Sequence, residues 1–244
     1  MFRIPDSIKH LFLISLVLLS IPWVFKVDIS NITALHFPLN ENFEFWQYFT
    51  YIFMHADFMH LFFNFISIWF FGSILADSWG TKRFLFFFFS AGVGAALIYT
   101  AINYLQFYSI YEVLLQAGVT QDEIISILEA GKTSDQRVVS SITQEQFDKI
   151  YRLYSSPMVG ASGAAYGILA AYAVYFPERR IHLLFPPISV ISKYYIAILI
   201  AADLFLGVLN RVEDNVARFA HVGGAIVGFL IASYWKKNQF NYKR

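Results

Sequence analysis

The sequence predicts an all-α integral membrane protein: a bundle of six transmembrane helices with a helical insert outside the membrane, between helices three and four. Of the 244 residues, 57% are hydrophobic and 14% charged, whereas soluble domains are about 45–50% apolar and about 25% charged. Six apolar stretches also approach the roughly 20 residues that a helix needs to cross the hydrocarbon core. We expect a single membrane domain, 1–244, that contains a polar helical insert at 106–157.

The predicted spans follow one another with turn and charge signals between them. They are roughly 10–29, 58–77, 84–105, 158–176, 188–209 and 217–235. The first has the basic start and apolar core of a signal peptide, but no A-x-A-like cleavage site follows it, so we expect a retained span. Pro22 interrupts this span, which a membrane helix tolerates where neighbours satisfy the freed backbone groups.

Basic residues in the short loops predict the orientation, because Lys and Arg accumulate on the cytoplasmic side. One side would carry Arg3, Lys9, Lys82, Arg83, Arg179, Arg180, Lys193, Lys236, Lys237, Lys243 and Arg244. The other side would carry Lys26, Arg211 and Arg218. We therefore expect a multi-pass protein of a bacterial inner (cell) membrane, with both termini in the cytoplasm and the insert outside.

The insert is too long for a bundle loop without structure of its own. Thr120 to Glu123 and Thr143 to Gln146 have the pattern of capping boxes, and apolar residues at helical spacing follow each. We expect short amphipathic helices that either screen substrates or only decorate the fold.

Composition also limits the function. The formal charge of +1 gives no reason to expect a nucleic-acid partner, and the absence of cysteine excludes disulfides, Cys-ligated metals and thiol catalysis.

Reactive residue types cluster at the outer ends of spans two, four and six. The clusters are M-H-A-D-F-M-H-L-F-F-N at 54–64, G-A-S-G-A-A-Y-G at 160–167 and A-H-V-G-G-A-I-V-G at 220–228. A helix rises 1.5 Å per residue, so each key side chain would lie on the order of 5–10 Å below its helix start. We expect Ser162, His221, His60 and Asn64 to share one depth in the membrane.

Ser162 and His221 are the candidate nucleophile and base. A serine hydroxyl needs a base to remove its proton, and an imidazole is suited to that task near neutral pH. Gly224 and Gly228 lie on the face of His221, and this bare backbone would let span six press against span four. Tyr166 lies on the face of Ser162 and either packs against the imidazole or is a core aromatic. A helix-packing serine and a histidine bonded to a backbone carbonyl are the alternatives.

Hydrogen-bond donors for an oxyanion hole come from span two. His60 and Asn64, four residues apart, share a helix face, and both can donate where charge develops on a tetrahedral intermediate. The backbone N–H of Ser162 is a further donor. Gly160 and Gly163 flank the serine and would support the site by permitting close helix approach. For Asn64, the alternative is a hydrogen bond that only joins helices.

Other polar residues near the clusters have weaker functional signals. His55, at the membrane edge, either lines the site or makes structural bonds in its loop. With His60 and His221 it would supply three nitrogens to zinc, but no H-E-x-x-H motif occurs and no carboxylate stands beside the histidines. We expect no metal and no cofactor.

Asp203, inside span five, is expected to make a helix-to-helix hydrogen bond and is not assigned to the site.

Together the three clusters resemble the rhomboid proteases, which carry H-x-x-x-x-H-x-x-x-N in the second helix, G-x-S-G at the start of the fourth and A-H-x-x-G in the sixth. The resemblance covers roughly 40–105 and 155–235. It implies a dyad of Ser162 and His221 without an aspartate, oxyanion stabilisation by His60 and Asn64, and support of the histidine by Tyr166.

The resemblance also implies a function. The implied function is that of an intramembrane serine endopeptidase, which acts within the lipid bilayer on membrane proteins with a single span. Such enzymes cleave near the outer membrane boundary, and their fifth span, here 188–209, helps to form a lateral gate. The alternatives are an inactive rhomboid-like protein that binds membrane clients and a small-solute or proton transporter. A transporter predicts paired ionisable residues or inverted repeats at the midplane, and neither is found.

The sequence departs from the family pattern at three places. Family members often carry Trp-Arg in the first outer loop, where this chain has Trp46 and Gln47. They often end the second span with E-x-x-x-G, where this chain has Ala76 before Gly80, with Asp77 beside it. The long insert replaces what is usually a short connection. The first two departures put the scaffold contacts, rather than the chemistry, in question.

Overall fold

The computed structural model describes residues 4–183, 187–209 and 215–239. The helices of its first half are α1 (Asp6–Phe25), α2 (Ser30–Thr33), α3 (Gln47–Thr50), α4 (Phe58–Ser67), α5 (Ser73–Trp79) and α6 (Thr81–Gln116). Those of its second half are α7 (Gln121–Ala130), α8 (Gln136–Ser141), α9 (Gln144–Ser155), α10 (Ser162–Tyr175), α11 (Ser192–Val208) and α12 (Asn215–Gln239). A 3₁₀ turn at Tyr51–Phe53 follows α3, and a π-helical segment at Ile68–Gly72 joins α4 to α5. The strands β1 (Arg180–His182) and β2 (Ser189–Ile191) pair in antiparallel fashion.

Each of the predicted spans overlaps a helix or a continuous run of helical segments. Among the residues that the structure describes, three helical segments are long and apolar enough to cross a membrane, judged by length and composition: Asp6–Phe25, Phe58–Trp79 and Thr81–Gln116. Pro22 lies inside the first of them without ending it. The arrangement with six spans stays a prediction.

Several helix boundaries differ from the predicted ones. The fourth predicted span starts at 158, but α10 begins at Ser162, because Met158 pairs with Leu35 in an isolated β-bridge and Gly160 has a φ of +113°. The third was expected to end at 105, yet α6 continues to Gln116, into the predicted insert. The first ends at Phe25, since Lys26 adopts a left-handed conformation.

The prediction of an all-α fold missed the short hairpin before α11. Its register pairs Arg180 with Ile191 and His182 with Ser189. The predicted fifth span included 188–191, which the pairing with β1 holds in an extended conformation. An apolar run of this length does not distinguish a strand from the end of a helix.

Helix α10 lies at the centre of the bundle, where small residues allow close packing. A side chain on Gly163 would meet the Ala95 side chain of α6, 2.6 Å away, and one on Gly167 would meet Ala91 at 2.5 Å. Helix α10 also packs against α12, where a side chain on Gly228 would lie 2.5 Å from the backbone of Gly167. Such contacts let helix backbones approach closely.

The insert forms a second, smaller hydrophobic core. The end of α6 packs there with α7, α8 and α9 around fully buried side chains, among them Phe107, Ile124 and Ile150. Both predicted capping boxes are confirmed: Thr120 pairs with Glu123 at the start of α7, and Thr143 with Gln146 at the start of α9. We call this unit, 106–157, the cap. Its position relative to the membrane stays a prediction.

Candidate active site

Ser162 is the first residue of α10, directly after a constrained loop. The N–H of Gly160 donates to the Tyr51 carbonyl oxygen at 3.0 Å, and the bridge between Leu35 and Met158 holds the loop from the other side. The first residues of a helix have N–H groups without an intrahelical acceptor. The Ser162 hydroxyl is therefore held beside free N–H groups at the positive end of the helix dipole.

His221 meets the serine from α12. Its Nε2 lies 2.9 Å from Ser162 Oγ. The approach depends on bare backbone, because a Cβ added to Gly224 would overlap the carbonyl of Gly163. The predicted close approach of these two helices through glycine is thus confirmed. Tyr166 lies parallel to the imidazole, with ring centroids 4.3 Å apart and an interplanar angle of 9°.

A carboxylate stands on the other side of the imidazole, where the sequence analysis assigned none. Asp203 of α11 places Oδ2 2.8 Å from His221 Nδ1, and its Oδ1 accepts from Arg218 at 3.1 Å. The expected helix-to-helix hydrogen bond is present, but its partner is the candidate base itself. The exposed fractions are 13% for the Asp203 side chain and 17% for that of His221, so the pair is largely shielded.

Asp203 was not predicted at the site because hydropathy does not fix how a helix is rotated about its axis. One signal was available: a carboxylate inside an apolar span is costly, and it usually pairs with another polar group in the bundle interior. The partner that the carboxylate of Asp203 finds is His221, a histidine that the sequence had already singled out.

His60 and Asn64 of α4 lie beside Gly160, in the loop that leads to Ser162. A Cβ added to Gly160 would lie 2.8 Å from His60 Nε2 and 3.7 Å from Asn64 Nδ2. The Ala56 N–H donates to His60 Nδ1 in a long hydrogen bond of 3.5 Å, which leaves the proton on Nε2, facing the loop. Asn64 Nδ2 donates one hydrogen to the His60 carbonyl oxygen at 3.0 Å and keeps the second. Both side chains can donate beside Ser162.

His55 lies behind His60 rather than at the serine. The two rings make an edge contact with centroids 5.1 Å apart, and His55 Nδ1 lies 3.2 Å from the Phe53 carbonyl oxygen. Burial lowers the pKa of His55 to about 4, so the ring is neutral near pH 7. Its Nε2 is buried without a partner among the described residues and faces a cavity of about 20 Å³ bordered by Asn64 and Ala161, enough for one water molecule.

The geometry permits acyl transfer. A hydroxyl contacts a base, a further group orients the base, and the donors of His60 and Asn64 lie beside Gly160, two residues before the hydroxyl. These are the parts that such a reaction needs. Within residues 4–183, 187–209 and 215–239, no group of three or more His, Asp or Glu side chains has the arrangement of a metal site.

Comparison with known proteins gives two matches. The model of the Rhomboid domain family matches residues 42–119 and 132–238, which contain all the candidate site residues. Rhomboid protease AarA of Providencia stuartii is 28% identical over 191 residues, covering 78% of this chain and 55% of that protein. The chain thus spans about half the length of this curated relative.

Proposed function

The chain belongs to the rhomboid family, and from this premise we propose that it is an intramembrane serine endopeptidase. It is a multi-pass integral membrane protein, as its family and its long apolar helices indicate. The observation that carries the proposal is the contact of 2.9 Å between Ser162 Oγ and His221 Nε2, made by two helices far apart in the sequence. An isolated packing serine would not require a histidine at this position.

The proposed reaction is peptide-bond hydrolysis in two steps. Ser162 Oγ attacks the scissile carbonyl carbon while its proton passes to His221 Nε2. The carbon–nitrogen bond then breaks, and the imidazolium returns the proton to the leaving amine nitrogen. Water attacks the acyl-enzyme and gives a proton to His221. The bond between the acyl carbon and Ser162 Oγ then breaks, and the imidazolium returns the proton to Oγ, which leaves a new carboxyl terminus and free Ser162.

The negative charge on each tetrahedral intermediate needs donors that are already in place. The Ser162 N–H, His60 Nε2 and the free hydrogen of Asn64 Nδ2 are the proposed donors, with Gly160 leaving the space between them. Gly163 contributes by keeping α12 close. Tyr166 supports the imidazole through its stacked ring. His55 is proposed to support His60 rather than to touch the substrate.

The proposed substrates are membrane proteins with a single span, cut near the outer surface. We propose six spans, both termini in the cytoplasm, and location in a bacterial inner membrane. The site would then lie at the outer ends of α4, α10 and α12, next to the cap. A substrate helix must unwind there, since a peptide bond within an intact helix is not accessible to Ser162.

Cleavage of a labelled transmembrane substrate by the purified protein tests the proposal. Ser162→Ala and His221→Ala should each abolish cleavage, whereas Ser109→Ala, at an exposed serine of α6, should retain it. A fluorophosphonate probe should label the wild type and fail to label Ser162→Ala. If cleavage persists in Ser162→Ala, the proposal is wrong. A folded wild type that neither cleaves nor takes up the probe would favour the inactive client-binding alternative.

A further inference from the structure

We propose that Asp203 is a positioning residue for His221, so that the site works as an Asp–His–Ser triad rather than as a dyad. This inference rests on the proposed function and adds a residue to it. The imidazole lies between two oxygens, with Nδ1 2.8 Å from Asp203 Oδ2 and Nε2 2.9 Å from Ser162 Oγ. Each of the three side chains comes from a different helix.

The carboxylate determines which ring nitrogen carries the proton. A neutral imidazole has one N–H and one lone pair, and an ionised carboxylate only accepts hydrogen bonds. With Asp203 at Nδ1, the favourable tautomer is the one protonated at Nδ1. Nε2 is then left with its lone pair towards Ser162, which is the state that a general base requires. Without the carboxylate, nothing at Nδ1 would favour one tautomer, and His221 could populate both.

The surroundings keep the Asp203 carboxylate ionised and in place. Arg218 of α12 donates to Oδ1 at 3.1 Å, so the two oxygens have different partners and the carboxylate is fixed in orientation. Buried charges are tolerated when they are paired and hydrogen-bonded. The same arrangement favours the imidazolium that forms during the reaction, because a negative charge lies directly behind it.

Other titratable groups face His221 from the packed helices. Tyr166 of α10 stacks on the ring, His60 of α4 lies within electrostatic range, and Tyr195 of α11 lies near Tyr166. Among these groups and the two hydrogen-bond partners of the imidazole, Ser162 and Asp203, only Asp203 offers an acceptor to His221 Nδ1. The competing explanation is that Asp203 merely joins α11 to α12, as any interhelical hydrogen bond would.

Asp203→Asn separates these explanations. An amide retains a hydrogen bond between the helices but can present its NH₂ group to Nδ1, which favours the other tautomer. The corresponding change in a serine protease triad lowers turnover about 10⁴-fold. We expect a fall in kcat of roughly 10²–10⁴-fold with little change in KM. We also expect the remaining activity to rise towards high pH, and partial recovery in Asp203→Glu. Asp77→Asn, at an exposed aspartate of α5, is the matched control.

A measurement that does not need activity completes the test. The chain has 6 histidines, and ¹⁵N NMR of histidine-labelled full-length protein in detergent micelles reports the tautomer of each. The His221 signal is assigned by its loss in His221→Ala. We expect the Nδ1–H tautomer in the wild type and in Asp203→Glu, and a shift towards the Nε2–H tautomer in Asp203→Asn.

The outcomes distinguish the two proposals. A wild type without cleavage and without probe labelling contradicts the proposed function. An inactive Ser162→Ala beside an Asp203→Asn variant with wild-type kcat and pH profile contradicts only the triad. A wild-type His221 protonated at Nε2 also overturns the triad, even if Asp203→Asn fails to fold.

Discussion

At the scale of single residues, one buried amide organises the segment between α1 and α4. Gln47 is fully buried. Its Nε2 donates to the carbonyl oxygens of Asn31 at 3.0 Å and Asn42 at 2.7 Å, and its Oε1 accepts from the His36 N–H at 3.1 Å. An arginine, which the family often carries here, has donors only. In place of an arginine, Gln47 therefore supplies an amide whose donor and acceptor groups both have partners in this segment.

Gln47→Ala should destabilise the protein. It would leave buried backbone groups without partners, and each such group costs about 1–3 kcal/mol. We expect a lower unfolding midpoint in mild detergent than for Gln136→Ala, which removes an exposed glutamine of α8. Gln47→Arg should be only partly tolerated, since it cannot accept from His36. Equal midpoints for Gln47→Ala and Gln136→Ala would contradict this account.

Among the helices, the contact between α10 and α12 sets the distance between the serine and the histidine. Gly224 and Gly228 of α12 face Gly163 and Gly167 of α10, and each would bring an added Cβ into the opposite backbone. Backbone atoms cannot rotate away as a flexible side chain can, so the helices must separate if either glycine gains a side chain. Ser162 and His221 lie at the end of this contact where α10 begins.

Gly224→Ala should therefore impair catalysis more than it impairs folding. A displacement of about 1 Å at reacting groups can cost on the order of 10²-fold in rate, while overpacking typically costs about 1–3 kcal/mol. We expect at least a 10²-fold loss of cleavage in a protein that still folds, with reduced fluorophosphonate labelling. Ile226→Val, on the exposed side of the same helix, should keep the wild-type rate. An active Gly224→Ala variant would show that the site tolerates a wider helix separation.

The cap offers a pH test at the scale of one element. Arg137 binds Glu123 at 2.8 Å and Asp135 at 2.6 Å, which ties α7 to α8. Hydrogen bonds from Arg137 and from the Thr120 backbone lower the pKa of Glu123 to about 2, and Arg137 likewise lowers the pKa of Asp135. Both carboxyls titrate near 4 when unfolded. Their stabilisation is therefore complete above about pH 5 and is lost as the pH falls towards about 2.

Hydrogen exchange, corrected for the intrinsic rate at each pH, measures this effect in the full-length protein. Protection at the start of α7 should fall between about pH 5 and about pH 2. The start of α9 is the internal control, because its capping box uses the uncharged Gln146. In Arg137→Gln the change at α7 should be smaller. Equal losses at α7 and α9 would indicate general unfolding instead.

In the part of the molecule that the structure describes, two larger hydrophobic cores are joined through α6, and a small third cluster of Leu169, Tyr172 and Ile196 lies between α10 and α11. The larger core surrounds α10, and the smaller lies in the cap, where the rings of Phe37, between α2 and α3, and Phe107 of α6 pack with centroids 4.7 Å apart. Asn40 Nδ2 adds a hydrogen bond to the Tyr154 carbonyl oxygen at 3.0 Å. The cap is thus attached to the same segment between α1 and α4 that Gln47 organises.

Local signals in the sequence predicted some of these features and not others. Hydropathy located the helices, and the capping boxes at Thr120 and Thr143 were recognisable because their hydrogen bonds close within four residues. The start of α10 was misplaced because the bridge from Met158 to Leu35 joins distant parts of the chain. Asp203 was missed for the same reason: its partner is set by helix rotation and packing, which depend on the whole bundle.

Orientation in the membrane is the property of the whole molecule that the sequence predicts most directly. The chain has no cysteine, so single cysteines can be placed without background. We choose two exposed serines at opposite ends of the predicted arrangement, Ser140 in the cap and Ser78 at the end of α5. Because basic residues flank the end of α5, we expect it on the cytoplasmic side. In spheroplasts, a maleimide that does not cross membranes should label Ser140→Cys at once and Ser78→Cys only after permeabilisation. Reversed labelling would place the cap and the site in the cytoplasm, and would overturn both the orientation and cleavage at the outer surface.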